Sequence, residues 1–327
     1  MQISSLPIHR HDETLYSLAV RIRRTNAARN DRDACRELFG PFANMRVSEF
    51  PVNVDVFVEA SQARFGDARS VIAHTTLVPF FDRIGGHPWH SGRAEPSVAT
   101  AGYGLSMLSN GNLRTWRACA QCLREDKKRN PYSYWRRAHQ LPTAFFCLEH
   151  RMLLNACWVP PKQLHIQFYL PDEMALVDTF ECVDPETNME MLALLSEFSV
   201  DALGDDAEVI PGPTANAAIA RALGNLNMIT ASGKVCRKSF APEFARRFGF
   251  LRHHPDFSKG VCAASIEILC RSLDKPNVWR QSIQNVLLLS WLFGTWNAFK
   301  EQCVGADPIV THRADPNVTQ GGALSFG

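Results

Sequence analysis

The 327-residue chain has no long apolar run. Its longest, residues 286–293, falls far short of the roughly 20 residues that a membrane-spanning helix needs. The amino terminus, MQISSLPIHRHDETLY, has no apolar core of the kind a secretory leader carries. Both absences predict a cytoplasmic protein with no membrane partner. The nucleotide and hydrolase motifs are missing too. No G-x-x-x-x-G-K-[ST] loop occurs; Gly233-Lys234 comes closest, but Met228 holds the first glycine position and Val235 follows the lysine. G-x-S-x-G, H-E-x-x-H and the dinucleotide fingerprint are absent. The carboxylates Asp55, Asp67 and Asp82 are scattered and form no acidic triad in the sequence. The expectation is a chain without catalysis. There is no tandem repeat of 20–50 residues, and no overall charge bias, since 35 basic and 33 acidic side chains leave +2.

Hydrophobic residues make up 46% and charged residues 21%, the balance of an ordinary globular protein. At about 150 residues per domain, the length suggests two domains. Charge is unevenly spread. Residues 1–150 carry a net +6 and residues 151–327 a net −4. Eight cations lie between positions 114 and 139: Arg114, Arg117, Arg124, Lys127, Lys128, Arg129, Arg136 and Arg137. Against them stand only Glu125 and Asp126. An anion-binding surface is expected there, and these eight are the candidate nucleic-acid contacts. A solvated or protein-docking face is the plainer alternative.

Periodicity predicts a mainly α-helical fold. In residues 12–26, Leu15, Leu18, Ala19 and Ile22 form one apolar face, with Asp12 as the expected cap. Shorter helices follow over 31–39, ending at Gly40-Pro41, over 54–65, and from 69 to just before Pro79. Such short helices suit a helix-turn-helix-like unit. Further helices are expected over 189–200, 214–223, 242–248, 258–273 and 278–303, the last nearly apolar all round and therefore central. The expected organisation is an N-terminal helical domain (1–90), a linker (91–112), a zinc-ribbon-like module (113–160), a C-terminal helical domain (161–303) and a flexible tail (304–327).

The clearest chemical signal is Cys119-Ala-Gln-Cys122 followed, after 24 residues, by Cys147-Leu-Glu-His150. Two such knuckles can close a tetrahedron around Zn²⁺, and four protein ligands leave no open coordination position, so the expected site is structural. Buried thiols beside an unrelated histidine, or a C-x-x-C redox pair, are the competing readings. Cys157, His139 and His165 are reserve ligands. The aromatics Trp116, Tyr134, Trp135, Phe145, Phe146 and Trp158 read as core around the site.

These residues carry a family resemblance. Pro7, Asp12-Glu13-x-Leu15-x-Ser17 and Arg21, then His74-Thr75-x-x-x-Pro79, then the knuckles flanking Tyr134-Trp135-x-Arg137-x-His139-Gln140-Leu141-Pro142, resemble the TniQ/TnsD family of transposon target-selection proteins. Ala120 and Leu148 stand where relatives often carry proline, and Thr143 replaces the usual glycine after the Leu-Pro pair. The resemblance implies a non-catalytic adaptor in bacterial DNA transposition, nucleoid-associated, that binds target DNA or a CRISPR effector complex marking it. It further implies recruitment of an AAA+ ATPase regulator of the transposase, with a homodimer as an option. The alternative is a stand-alone zinc-dependent DNA-binding transcription regulator, and a cysteine–histidine hydrolase is a third reading.

Overall fold

A computed structural model of the chain describes residues 3–26, 29–41, 53–85, 116–158, 167–178, 185–204, 209–254, 257–258, 260–275 and 282–304. They are mainly helical, with few strands, as the patterning predicts. The expected linker lies outside the described residues, as does the expected tail beyond Val304.

Five helices come first. Helix α1 (Leu15–Thr25) buries the predicted face of Leu15, Leu18, Ala19 and Ile22. Its cap is Thr14, whose hydroxyl accepts from the Ser17 N–H at 3.1 Å, and not the expected Asp12. Asp12 lies two residues earlier at φ 59° and turns its carboxylate elsewhere. Helix α2 (Asp31–Phe39) is capped by Asn30 and ends at Gly40, whose φ of 90° suits glycine. Helix α3 (Val54–Ala60) stops five residues before the predicted end, because Gln62 and Ala63 enter the left-handed region and fold the chain back. Helix α4 (Ala68–Thr75) is capped by Asp67. Pro79, read as a stop, instead sits in the first turn of an unpredicted helix α5 (Val78–Gly85), where a missing N–H costs nothing. Leu15, Leu18, Ile22, Leu38, Phe57 and Val71 pack α1 to α4 around one small core, whereas α5 belongs to a larger one.

The central segment mixes short elements: β1 (Trp116–Ala118), α6 (Ala120–Arg129), the single turn α7 (Arg137–Gln140), β2 (Phe146–Cys147), β3 (Met152–Leu153), β4 (Asn155–Trp158) and, further on, β5 (Ala175–Val177). The order β1-β4-β5 makes an antiparallel sheet, with Trp116 opposite Cys157 and Cys157 opposite Leu176; β2 and β3 form a separate hairpin.

Six helices complete the described chain: α8 (Pro185–Leu203), α9 (Gly212–Asn225), α10 (Arg237–Phe248), α11 (Ala263–Leu273), α12 (Ser282–Phe293) and α13 (Trp296–Val304). The single helix expected over 278–303 is two, broken by Gly294 at φ 76°. Pro242 lies inside α10 instead of opening it. Helix α12 is the central one, with Ile283 and Val286 to Leu289 all buried. One large core joins α5, α8, α12 and α13 to Cys119, Cys122, Phe145 and Cys147 of the central segment. Helix α8 holds that segment by two serines. The Ser196 hydroxyl accepts from the N–H groups of Phe145 and Phe146 at 2.9 and 3.0 Å, and the Ser199 hydroxyl meets that of Thr143.

Helix α5 carries a carboxyl group into this core. Asp82 is 4% exposed, and burial pushes its carboxyl up to about 7 despite the neighbouring Arg83. An unfolded aspartate titrates near 3.9. The ionised form therefore penalises the folded state progressively between about pH 4 and pH 7, with a ceiling of about 4 kcal/mol above that window. Denaturant titrations of wild type and Asp82→Asn should show near-equal stabilities at pH 4.5 and a more stable variant at pH 8; parallel pH profiles would contradict this origin.

Candidate metal centre

Both knuckles arise from abrupt changes in local structure. Strand β1 ends at Ala118, and Cys119 is the first residue outside α6, so Cys122 follows one helical turn later on the same side. On the other side, Cys147 ends β2 and His150 lies in the turn before β3, where Arg151 takes φ 50°. The hairpin register, with Cys147 opposite Met152, aims the turn at the start of α6.

The four expected ligands come together. Their donor atoms all lie within 4.8 Å of one another. The Cys122 and Cys147 sulfurs are 3.7 Å apart, and His150 Nδ1 stands 3.6, 3.3 and 3.6 Å from the sulfurs of Cys119, Cys122 and Cys147. A tetrahedron with bonds of about 2.3 Å to sulfur and about 2.0 Å to nitrogen has S–S edges of about 3.8 Å and S–N edges of about 3.5 Å. The observed separations are those edges. The three cysteines are buried and His150 partly so.

The chemistry of the donor set agrees with this geometry. Hydrogen bonds from the Cys122 and Cys147 thiols hold the Cys119 thiol far below its ordinary range, while the hydrogen bonds to Cys119 push the other two up. Three thiols this close oppose one another's ionisation. A divalent cation is what would allow all three to ionise. The reserve ligands are not part of the group. Cys157 sits in β4 with its thiol pushed up to about 12 by burial, and His139 is buried with its imidazole pushed down to about 3, chiefly by burial and then by Arg136. His165 lies outside the described residues.

The model of the TniQ family matches residues 7–154, from just before α1 to the end of the β2–β3 hairpin. Over these residues the chain is similar to TniQ domains. No curated protein matches it. Within the matched residues, the three motif stretches touch one another. Trp135 accepts at its carbonyl from the Thr14 N–H (2.9 Å) and donates its own N–H to the Ser17 hydroxyl (3.2 Å). The Asp12 carbonyl accepts from the Arg137 N–H, and the Asp12 carboxylate from the Ala138 N–H at 3.1 Å. Glu13 is fully buried and pairs with Arg21 at 2.6 Å. The Arg137 guanidinium donates to the carbonyls of Ala73, His74 and Thr76, closing the C-terminal end of α4 with a cation, the favourable sign for that end of the helix dipole. Gln140 mimics a strand neighbour: its amide donates to the Arg117 carbonyl and accepts from the Arg117 N–H.

This packing divides the eight candidate cations. Arg117 and Arg137 are buried; the Arg117 guanidinium donates to the carbonyls of Leu141, Pro142 and Ala144. Arg136 is bidentate to Asp126, at 2.9 and 3.0 Å, and lies over the Tyr134 ring. These three serve the interior, a correction to their reading as phosphate contacts, because a guanidinium already spent on buried acceptors cannot face a phosphate without leaving them unsatisfied. Arg124, Lys127, Lys128 and Arg129 are exposed on α6, with Lys127 3.8 Å from Asp172. Arg114 lies outside the described residues. Of the expected aromatics, Trp116 and Trp135 pack with ring centroids 4.5 Å apart, Tyr134 is covered by Arg136, and Phe145 joins the large core.

Cys122→Ser should lower metal content, measured by elemental analysis, well below one equivalent per chain, while Cys157→Ser retains the wild-type value. Full metal content in Cys122→Ser would remove that ligand. Arg137→Ala should destabilise the fold by about 2–4 kcal/mol in denaturant titration, since three carbonyls are deprived of a charged donor; a loss under 0.5 kcal/mol would show that water replaces it.

Proposed function

We propose that the protein is a target-site selection adaptor in DNA transposition, with one structural Zn²⁺ held by Cys119, Cys122, Cys147 and His150. It contacts target DNA, or a CRISPR effector complex that marks it, and recruits an AAA+ ATPase regulator of the transposase. The observation that carries this reading is the coincidence of the family match with the knuckles: the match ends at residue 154, just past the fourth ligand. TniQ domains belong to transposition-associated target selection and to non-catalytic adaptors. A four-ligand site suits that role, because a closed tetrahedron offers no bound water to activate.

The DNA-facing part of the reading assigns phosphate contacts to Arg124, Lys127, Lys128 and Arg129. Three of them, Arg124, Lys127 and Lys128, are spaced i, i+3 and i+4 and share one side of α6. All four are exposed. Phosphate contacts of this kind position a protein on DNA without reading sequence.

Fluorescence anisotropy of the full chain with duplex DNA, over a range of salt concentrations, tests this. Lys127→Ala/Lys128→Ala/Arg129→Ala should bind more weakly, with a salt slope shallower by about 0.9 for each phosphate no longer neutralised. An unchanged slope would return α6 to a solvated face. Co-purification with the AAA+ regulator encoded by the same element tests the recruitment step, and DNA binding without any such association would favour a transcription regulator.

A further inference from the structure

We propose that Glu125 is a positioning residue for the metal, fixing which nitrogen of His150 faces the three sulfurs; this rests on reading the four-residue cluster as a closed metal site. His150 is engaged at both ring nitrogens. Nδ1 faces the sulfurs at 3.3 to 3.6 Å, and Nε2 lies 3.0 Å from Glu125 Oε1. A carboxylate can only accept, so Nε2 must carry the proton and Nδ1 presents its lone pair to the metal. The contact also fixes the ring plane and raises the basicity of the coordinating nitrogen.

The carboxylate is itself held. Gln121 Nε2 donates to the same Glu125 oxygen at 3.0 Å, and Arg124 donates from Nε to the Gln121 carbonyl oxygen at 3.0 Å. Gln121, Arg124 and Glu125 are spaced i, i+3 and i+4, so one side of α6 carries the whole relay. Cys122 precedes Glu125 by three residues. One helix therefore delivers a ligand and, a turn later, orients the ligand that comes from the opposite hairpin. The pair is only partly exposed, with side-chain accessibilities of 14% for His150 and 30% for Glu125. Glu149, the other nearby carboxylate, meets the Cys122 sulfur at 3.7 Å and does not contact Nε2.

The test is zinc affinity of the full chain, measured by competition with a chromophoric chelator, together with the visible absorption of the cobalt-substituted protein. Glu125→Ala should bind zinc about 10- to 100-fold more weakly, with an altered cobalt spectrum. Glu125→Gln keeps an acceptor oxygen and should lose less than Glu125→Ala, and this variant decides the matter if the alanine variant does not fold. Cys157→Ser, outside the four-residue cluster, should match wild type. Wild-type affinity and an unchanged cobalt spectrum in Glu125→Ala would overturn the role of Glu125 alone. A wild-type chain that takes up no metal would overturn the site and this role together.

Discussion

Residues 133–141 are the hub on which the described N-terminal half depends. The main chain of Trp135 to Ala138 takes up Asp12, Thr14 and Ser17, while the Arg137 side chain takes up the end of α4 and Gln140 takes up β1. This is polar bonding in a dry place. A neutral hydrogen bond contributes about 1 kcal/mol net, but a buried group that loses its partner costs more than it ever contributed. The arrangement is consequently selective more than it is strong, since any other docking of α1 would strand the groups of Asp12, Thr14 and Ser17 together with the main chain of Trp135 to Ala138.

Several of the buried charges in this half are matched by a named partner. Glu13 has Arg21, Asp126 has Arg136, and Arg117 and Arg137 each have three carbonyls. Breaking such a pair is costly, although forming it stabilises little. The cations of α6 stay exposed at the surface instead, and this separates residues buried in the domain from residues that can meet an anion.

Much of this was legible in the sequence. The spacing of Leu15, Leu18 and Ile22 marked α1, and Gly40 marked the end of α2. Each x2 spacing placed two candidate donor atoms on one side of a turn or a helical start, and the docking of the β2–β3 hairpin on α6 brought the two pairs together. Other features were not legible, for identifiable reasons. Pro79 reads as a breaker unless it is known to fall in a first helical turn. Gly294 sits in a sequence so apolar that the periodicity runs across the break. The basic residues at 114–139 look alike in sequence, and only tertiary partners such as Asp126 and the Thr76 carbonyl separate the structural arginines from those on the surface. Glu125 read as one of two carboxylates in a basic run, and nothing in its sequence neighbourhood pointed to His150.

The docking of α1 has a consequence for biosynthesis. Asp12 to Ser17 find their partners more than 110 residues downstream, at Trp135 to Ala138. At about 5–20 residues per second, the ribosome takes on the order of ten seconds to make that stretch. During that interval Glu13 can pair with Arg21, but the bonds from Asp12, Thr14 and Ser17 to the later segment stay unmade. The first helix can bury its apolar face against α2 to α4 long before its polar partners exist, so these bonds are among the last to form.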